Sequence, residues 1–290
     1  MLKTNTKKRV SRRHFYMAFT ACAMLFLSVA GLLWINEAQA VRVSMKRIIF
    51  EGPKRSDIVT IMNNSAKEQS YRLGWRRYRM DEKKSLIHID DKPEEEAKIK
   101  WADDMIRFAP RRVTVPPGGS QQVRVLLRRP RDLEPAEYRA HLWIVTEEQA
   151  RDFEPDGQGT GQTSFKLTMM PALTMPIFVR HGDLEASAKI TDLKVGKVDA
   201  EHNEISLVLH REGTRSLYGD LKVTCSSGYV ARQIRGIAVY PEVAKRFLTF
   251  DVKVPAERAS ECSSVRVEYI ADKNDSLYAG KVMASMDASM

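Results

Sequence analysis

The chain has 290 residues, and its 47 Lys and Arg outnumber its 37 Asp and Glu, for a formal net charge of +10. The first forty residues hold six basic residues and one acidic residue (6 − 1 = +5), which leaves +5 for residues 41–290. This modest charge gives little support for a nucleic-acid partner. About 250 residues are too many for one small sandwich and suit two domains of common size.

The first forty residues have the features of a secretory signal peptide. A basic segment, residues 3–13, precedes an apolar run from about Met17 to Ile35, and the small residues "AQA" follow. This order predicts cleavage after Ala40, with 1–40 as the leader of an exported protein. An uncleaved membrane anchor is the alternative, since the apolar run is long enough to span a bilayer. The pair in "SRRHF" resembles a twin-arginine signal, so the choice between the two export routes stays open.

Alternating apolar and polar residues predict β-strands throughout residues 41–180. Six segments have this pattern: "RIIFEG", "SDIVTIMNN", "SYRLGWRRYRM", "MIRFAPRRVTV", "SQQVRVLLRR" and "EYRAHLWIV". Turn-forming residues separate several of them. With one further strand described below they make about seven, the number in an immunoglobulin-like sandwich. The charged segment Asp90–Asp104 lacks alternation and is predicted to be a loop with a helical turn.

A long polar loop precedes the last strand of this half. The segment Thr146–Ser164 has three glycines spaced by two residues. Its length exceeds that of a hairpin loop, which predicts a mobile segment.

The segment "SFKLTMMPALTMPIFVR", Ser164–Arg180, predicts an unusually long apolar strand. Apolar residues occupy every second position except Pro171; they are Phe165, Leu167, Met169, Leu173, Met175, Ile177 and Val179. At about 3.3 Å per residue such a strand would extend roughly 50 Å, well beyond the usual five or six residues. Its two prolines cannot donate to a ladder, so the strand is predicted to lie at a sheet edge.

The remaining residues, 181–290, predict a second all-β domain after a short joint, "RHGDLE". Seven alternating segments follow: "SAKITDLKV", "NEISLVLHR", "GDLKVTCSS", "YVARQIRGIAVY", "RFLTFDVKV", "SSVRVEYIA" and "LYAGKVM". Cys225 and Cys262 both lie here, and Cys22 belongs to the leader. In an oxidising compartment an even pair favours a disulfide, with two free thiols as the alternative.

No pattern in the sequence indicates catalysis, a metal or a nucleotide. Five histidines remain outside the leader and are scattered, without HExxH or CxxC spacing; they are His88, His141, His181, His202 and His210. The chain also lacks a GxSxG elbow and a phosphate-binding glycine loop. Arginine clusters such as "WRRYR" and "RRPR" are more typical of a solvated strand face than of a nucleic-acid site.

A long apolar edge strand has a known physical use. A second protein that lacks a strand can borrow it, gaining main-chain hydrogen bonds and filling a groove with alternate side chains. The alternative is an ordinary last strand packed on its own core. That alternative accounts for residues 173–179, but not for the alternation that begins at Phe165.

The ensemble of these segments resembles the periplasmic pilus-assembly chaperones, the PapD-like family. "RIIFEG" is similar to the family's first strand, in which an arginine lies three residues before a Phe-acidic-Gly ending. "FAPRRVTVPPGGSQQVRVLL" is similar to its proline, loop-glycine and Gln-x-Val-Arg segment. "EYRAHLWI" resembles the divergent, archaic-type branch, and Arg180 matches the arginine that closes the donor strand. The resemblance covers most of residues 41–184.

The resemblance implies two immunoglobulin-like sandwiches in an L or boomerang arrangement and a periplasmic location. It implies that Arg47 anchors the C-terminal carboxylate of a pilus subunit, a role that suits the planar guanidinium. In the well-studied branch a lysine lies four residues before the closing arginine. Pro176 stands at that position here, so another cation such as Lys166 is a candidate second anchor. Arg180 is expected to pair with an acid across the joint, and Asp272 is the expected partner.

These observations predict a chaperone that folds and caps pilus subunits by donor-strand complementation and delivers them to an outer-membrane usher. The expected donor residues are Phe165, Leu167, Met169, Leu173, Met175 and Ile177. No catalytic residue, metal, cofactor, small-molecule substrate or nucleic acid is expected, and the free protein could pair with itself through its edge. The alternative is a surface protein, either an adhesin or a carbohydrate-binding sandwich, and a periplasmic enzyme ranks third.

Overall fold

The computed structural model describes residues 42–147, 170–199 and 201–290, and Val41–Met290 form one compact unit. Within the described residues, eighteen strands and a few helical turns pack as two β-sandwiches with separate cores. The predicted all-β class and the two sandwiches are therefore confirmed. The leader, Cys22 and most of the polar loop lie outside the described residues. The domain boundary at residue 180 and the L or boomerang arrangement stay predictions.

The first sandwich contains eleven strands within the described residues. They are β1 (Arg42–Val43), β2 (Ile48–Phe50), β3 (Ser56–Met62), β4 (Gln69–Arg76), β5 (Tyr78–Asp81), β6 (Ser85–His88), β7 (Ile106–Ala109), β8 (Arg112–Val115), β9 (Ser120–Leu127), β10 (Ala136–Glu147) and β11 (Ala172–His181). One sheet has the order β1-β3-β9-β7 and the other β2-β11-β10-β4-β8, while β5 and β6 form a separate hairpin. The chain therefore changes sheets between β1 and β2.

The core of this sandwich is formed by the apolar side of each alternating strand. Val59 and Ile61 of β3 and Val123 and Val125 of β9 are fully buried and face Leu142 of β10 across the two sheets. Burial of this kind is the main stabilising contribution, at about 25 cal/mol per Å² of apolar surface. The period-two pattern thus specifies which face of each strand is inside.

Two of the alternating segments each form two strands. "SYRLGWRRYRM" is divided at Arg77, whose main-chain N–H donates to the Asp90 carboxylate at 2.6 Å instead of to a strand. "MIRFAPRRVTV" is divided at Pro110, which has no N–H to donate, and the chain moves there from the sheet of β7 to the sheet of β8. The prediction of one strand for each segment is wrong.

The charged segment Asp90–Asp104 contains two helical turns. They are α1 (Pro93–Glu96), which starts with proline at its first position, and the 3₁₀ turn Asp103–Met105. Arg77 pairs with both Glu96 and Asp103 and so holds the segment against the sandwich. The prediction of a loop with a helical turn is confirmed.

The second sandwich contains seven strands within the described residues. They are β12 (Ala186–Lys197), β13 (His202–Gly213), β14 (Leu217–Cys225), β15 (Val230–Val239), β16 (Lys245–Lys253), β17 (Ser264–Ala271) and β18 (Val282–Ser289). Their sheets have the orders β12-β13-β16 and β15-β14-β17-β18. Six of the seven predicted strands are present, whereas the last predicted segment, residues 277–283, shares only Val282 and Met283 with β18. Residues 272–281 instead form the turns that face the first sandwich.

Cys225 and Cys262 form a disulfide within this second sandwich. It joins the end of β14 to the 3₁₀ turn Ala256–Glu261 that precedes β17, with a Cα–Cα distance of 4.7 Å. Both residues are buried in the core. The predicted pair is confirmed.

Candidate functional site

The end of β11 near the joint is part of its own sandwich. Met175 and Ile177 are 1% and 0% exposed in the core of the first sandwich, and Leu173 is half-buried against that core. From Ile177 to Val179 the strand is flanked on both sides, by antiparallel β10 and by parallel β2. The prediction that Met175 and Ile177 are available to a guest is therefore wrong, because these side chains already fill the sandwich that carries them.

The start of β11 has a free edge. Residues 172–176 pair only with β10, since β2 pairs no earlier than Ile177, and no other described strand lies beside them. The prediction of an edge strand is therefore correct only for residues 172–176. Pro176, which cannot donate a hydrogen bond, lies within the free part.

The direction of the free main-chain groups follows from one hydrogen bond. The N–H of Thr146 donates to the C=O of Pro171 at 3.1 Å, and the same register continues along β10 and β11. Because hydrogen-bonded pairs alternate in an antiparallel ladder, odd-numbered residues of β11 face β10. The main-chain groups of Ala172, Thr174 and Pro176 therefore point to the open side. Because Pro176 points there, its lack of an N–H removes no hydrogen bond between β10 and β11.

The apolar row that precedes β11 lies outside the described residues. It comprises the predicted donor residues Phe165, Leu167 and Met169, together with Lys166. Met170, the described residue next to them, is 59% exposed.

Arg47 lies at the joint, between the turn that follows β1 and the second sandwich. Its guanidinium stacks on the Tyr218 ring at 3.5 Å from the centroid, and its Nη2 lies 3.3 Å from Oδ1 of Asp272. No described residue accepts a hydrogen bond of good geometry from this guanidinium. Burial lowers the pKa of Arg47, and the Asp272 carboxylate acts in the opposite direction. Arg47 is thus a positioned cation with unused donors.

A cavity of about 520 Å³ opens beside Arg47. Its lining includes two further cations, Lys46 and Lys54, and the acids Glu51 and Asp272. Lys54 is paired with Asp57 at 2.6 Å, whereas no described acid pairs with Lys46. The cavity is large enough for the end of a peptide, and its free donors favour a carboxylate.

Arg180 connects the two sandwiches, but its partner is not Asp272. Its Nε donates to Glu137 at 3.0 Å, and Glu137 accepts the N–H and hydroxyl of Ser216 in the second sandwich at 3.1 and 3.0 Å. Asp275 is 4.0 Å from Arg180. The predicted Arg180–Asp272 pair is wrong because the turn of residues 272–275 directs Asp272 to Arg47, while Arg180 takes Glu137 as its partner.

A second arginine lies in the same network and was not predicted. Arg215 is fully buried, pairs with Asp275 and lies 3.9 Å from Glu51, whose carboxylate also accepts a hydrogen bond from Ser276 at 2.6 Å. Burial lowers the pKa of Arg215, and the positive charge of Arg180 adds to this effect. Its segment, "GTRS", contains no pattern that would have indicated burial.

A separate contact between the sandwiches centres on Glu242. Its carboxylate accepts two hydrogen bonds from Arg139 on β10, at 2.7 and 3.0 Å, and one from the N–H of Met80 on the β5–β6 hairpin, at 2.7 Å. Arg139 also stacks on Tyr240, at 4.2 Å from the centroid. Met80, Phe178 and Tyr240 share a small apolar core at this point. Arg139 belongs to the polar side of β10, which the alternation alone assigns to solvent.

The described residues contain no cluster of three His, Cys, Asp or Glu that could hold a metal ion. Across residues 42–147, 170–199 and 201–290, no helix has the length and apolar character needed to cross a membrane.

Among known proteins, the chain is similar to solved structures only in its fold. No protein-family model matches the chain, and no curated protein matches its sequence. The CupB2 chaperone of Pseudomonas aeruginosa is 14% identical, with a TM-score of 0.39 over 86% of this chain and 100% of that chain. A chain of the Salmonella enterica SafA pilin–SafB chaperone complex is 11% identical, with a TM-score of 0.40 over 88% and 98% of the two chains.

A third similar structure is the CsuC–CsuE chaperone–tip adhesion subunit pre-assembly complex, from the archaic chaperone-usher Csu pili of Acinetobacter baumannii. It is 10% identical, with a TM-score of 0.38 over 76% of this chain and 91% of that chain. At these levels of similarity the function has to be inferred from the chain's own residues.

Proposed function

We propose that this protein is a periplasmic chaperone that binds and caps pilus subunits by lending them a strand, and then delivers them to an outer-membrane usher. The observation that carries the proposal is the free edge of β11 at residues 172–176; in the sequence it is preceded by the apolar row of Phe165, Leu167 and Met169. The role needs no catalytic group, nucleotide or cofactor. Export by a cleaved leader, residues 1–40, would place the protein in the periplasm.

The two halves of the predicted donor strand have different roles in this proposal. Met175 and Ile177 fix the strand in the core of the first sandwich and make no contact with a client. Leu173, which is half-buried, lies at the transition. Phe165, Leu167 and Met169 are the side chains that enter the client's open groove, since alternate residues of an added strand fill successive pockets.

The client's main chain pairs with the open side of β11. Ala172 and Thr174 each offer an N–H and a C=O to this side, and Pro176 offers a C=O. Each hydrogen bond contributes about 0.5–1.5 kcal/mol after the loss of water is counted. Main-chain pairing is independent of side-chain identity, so specificity for a client resides in the apolar row.

Arg47 anchors the client's C-terminal carboxylate in the 520 Å³ cavity. Its stacking on Tyr218 fixes the plane of the guanidinium and leaves its donors available. The second cation of the anchor does not come from β11, where Pro176 stands. Lys46, which lines the same cavity, is positioned to take that part.

The test replaces apolar residues of the donor row with aspartate. We expect Leu167→Asp with Met169→Asp to lower the recovery of a co-expressed pilus subunit from the periplasm at least tenfold, because a carboxylate in an apolar groove costs several kcal/mol. The level and melting temperature of the chaperone itself should not change. Recovery is measured by co-purification on a tag attached to the chaperone.

The matched control uses the intervening positions. Thr168→Asp with Met170→Asp makes the same change in charge in the same segment, on the opposite side of an extended strand, and recovery should stay near that of the wild type. Equal recovery with both double variants, or wild-type recovery with the Leu167/Met169 pair, would contradict strand lending.

A further inference from the structure

The site of Arg47 already contains a carboxylate that belongs to the protein. Asp272, which directly follows β17, places Oδ1 3.3 Å from Nη2 of Arg47. This ion pair has no hydrogen bond of good geometry, so Asp272 occupies the neighbourhood of the guanidinium without using its donors.

Asp272 is held in place by its own turn. Its Oδ1 accepts the N–H of Asn274 at 2.9 Å, its N–H donates to the C=O of Tyr218 at 3.0 Å, and its C=O accepts the N–H of Asp275 at 2.9 Å. An aspartate that closes a turn onto the residue two positions on is a locally stable arrangement. The carboxylate therefore stays beside Arg47 whether or not a ligand is bound.

We propose that Asp272 is a built-in competitor that limits the affinity of the Arg47 cavity for a carboxylate ligand. The ligand is the client's C-terminus if the function proposed above is correct, and that identification is the one part of the inference that rests on it. A fixed negative charge offsets the positive charge of Arg47 and repels an incoming carboxylate. The same negative charge speeds the release of the bound carboxylate. A chaperone that passes its client on requires such release.

The geometry makes Asp272 different from the other acid that lines the neighbouring surface. Asp220 contributes to an adjoining groove, and its carboxylate accepts hydrogen bonds from the Gln233 side chain and the Gly236 N–H, both at 3.1 Å. It makes no ion pair with Arg47. Asp220 therefore provides a matched control of equal charge in the same region.

The experiment titrates the purified protein with N-acetylglycine and follows the Arg47 side-chain N–H signal by NMR. N-acetylglycinamide, which lacks the carboxylate, is the control probe. Asp272→Asn keeps an oxygen that can accept the Asn274 N–H but removes the charge. We expect it to bind N-acetylglycine about fivefold more tightly than the wild type, the upper end of the range for exposed ion pairs, because the Arg47–Asp272 pair is largely buried. Asp220→Asn should bind like the wild type.

Asp272→Ser, which also keeps an acceptor for the turn, supports the same conclusion if it shows the same gain. Equal or weaker binding by both variants would overturn the inference, as would an equal gain for Asp220→Asn. Because the probe contains no strand, this result is independent of the subunit-recovery test. A gain at Asp272 with no strand lending would retain the carboxylate site and reject the chaperone function alone.

Discussion

The imidazole of His141 lies in surroundings that oppose its protonation. It is 1% exposed on β10, beside the charged Arg139 and against the edge of the Tyr78 ring at 5.3 Å, and Pro176 lies opposite it on β11. Neither ring nitrogen has a hydrogen-bond partner among the described residues. Burial lowers the pKa of His141 well below 6.5, and the positive charge of Arg139 adds to the effect.

This environment predicts that the protein loses stability in mild acid. In the unfolded chain His141 takes up a proton as the pH falls through its ordinary pKa of about 6.5, whereas in the folded chain it stays neutral. The unfolded state then binds more protons, so the free energy of unfolding falls with pH by up to ~1.4 kcal/mol per unit below that value. We expect His141→Phe to have a shallower loss between pH 6.5 and 5, measured by urea unfolding. Parallel pH profiles for the two proteins would contradict this assignment.

The polar side of β10 illustrates why such residues are hard to identify from sequence. Alternation correctly assigns Leu142 to the core and places Arg139 and His141 on the other face. It cannot report that the second sandwich and the β5–β6 hairpin cover that face. Contacts between the sandwiches join residues far apart in the chain, so the alternation within one strand does not predict them. Only the participation of Arg180 in such a contact was predicted, and that prediction came from the family resemblance.

At the level of elements, β11 is one strand with two environments. The odd-numbered residues from Leu173 to Val179 share the apolar face of the sandwich. In the sequence, the same alternation continues back toward the N-terminus as far as Phe165. Period-two alternation predicts which residues share a face, but not whether a strand has a neighbour on each side. That difference depends on where β2 begins, at Ile48 opposite Ile177, which is a property of the sheet and not of β11.

The two halves of the predicted donor strand should differ in their contribution to stability. Met175→Ala removes a fully buried side chain and should lower the free energy of unfolding by about 2–5 kcal/mol. Leu167→Ala changes a residue that the proposal reserves for a client, so its effect should stay within about 0.5 kcal/mol. Urea unfolding of each purified variant measures both values. A large loss for Leu167→Ala would mean that the apolar row packs on its own protein and is not reserved for a client.

Strand boundaries show a second limit of prediction from the sequence. Six of the seven strands of the second sandwich follow from alternation alone, since hairpins and one buried face preserve the pattern. The alternation changes phase at both divisions, Arg77 and Pro110: the apolar residues are odd-numbered at Tyr71 and Leu73 but even-numbered at Met80. A phase change is thus a sequence signal for both divisions, and proline is a further signal for the second.

At the level of the whole molecule, two groups of buried charges connect the sandwiches. One joins Arg180 and Glu137 to Ser216, and the other joins Arg139 to Glu242. Buried ion pairs add little net stability because desolvation offsets their attraction, but they are sensitive to geometry. We infer that their role is to hold β11 and the Arg47 cavity in a constant relation, so that one client can engage both.

Hydrogen exchange of the complex with a pilus subunit tests strand lending most directly. The amides of Ala172 and Thr174, and those of residues 165–169, should exchange at least tenfold more slowly in the complex than in the free protein. The amides of β9, in the opposite sheet, should keep their rates. Unchanged exchange at Ala172 and Thr174 in a stable complex would show that the client binds elsewhere and would contradict the central claim.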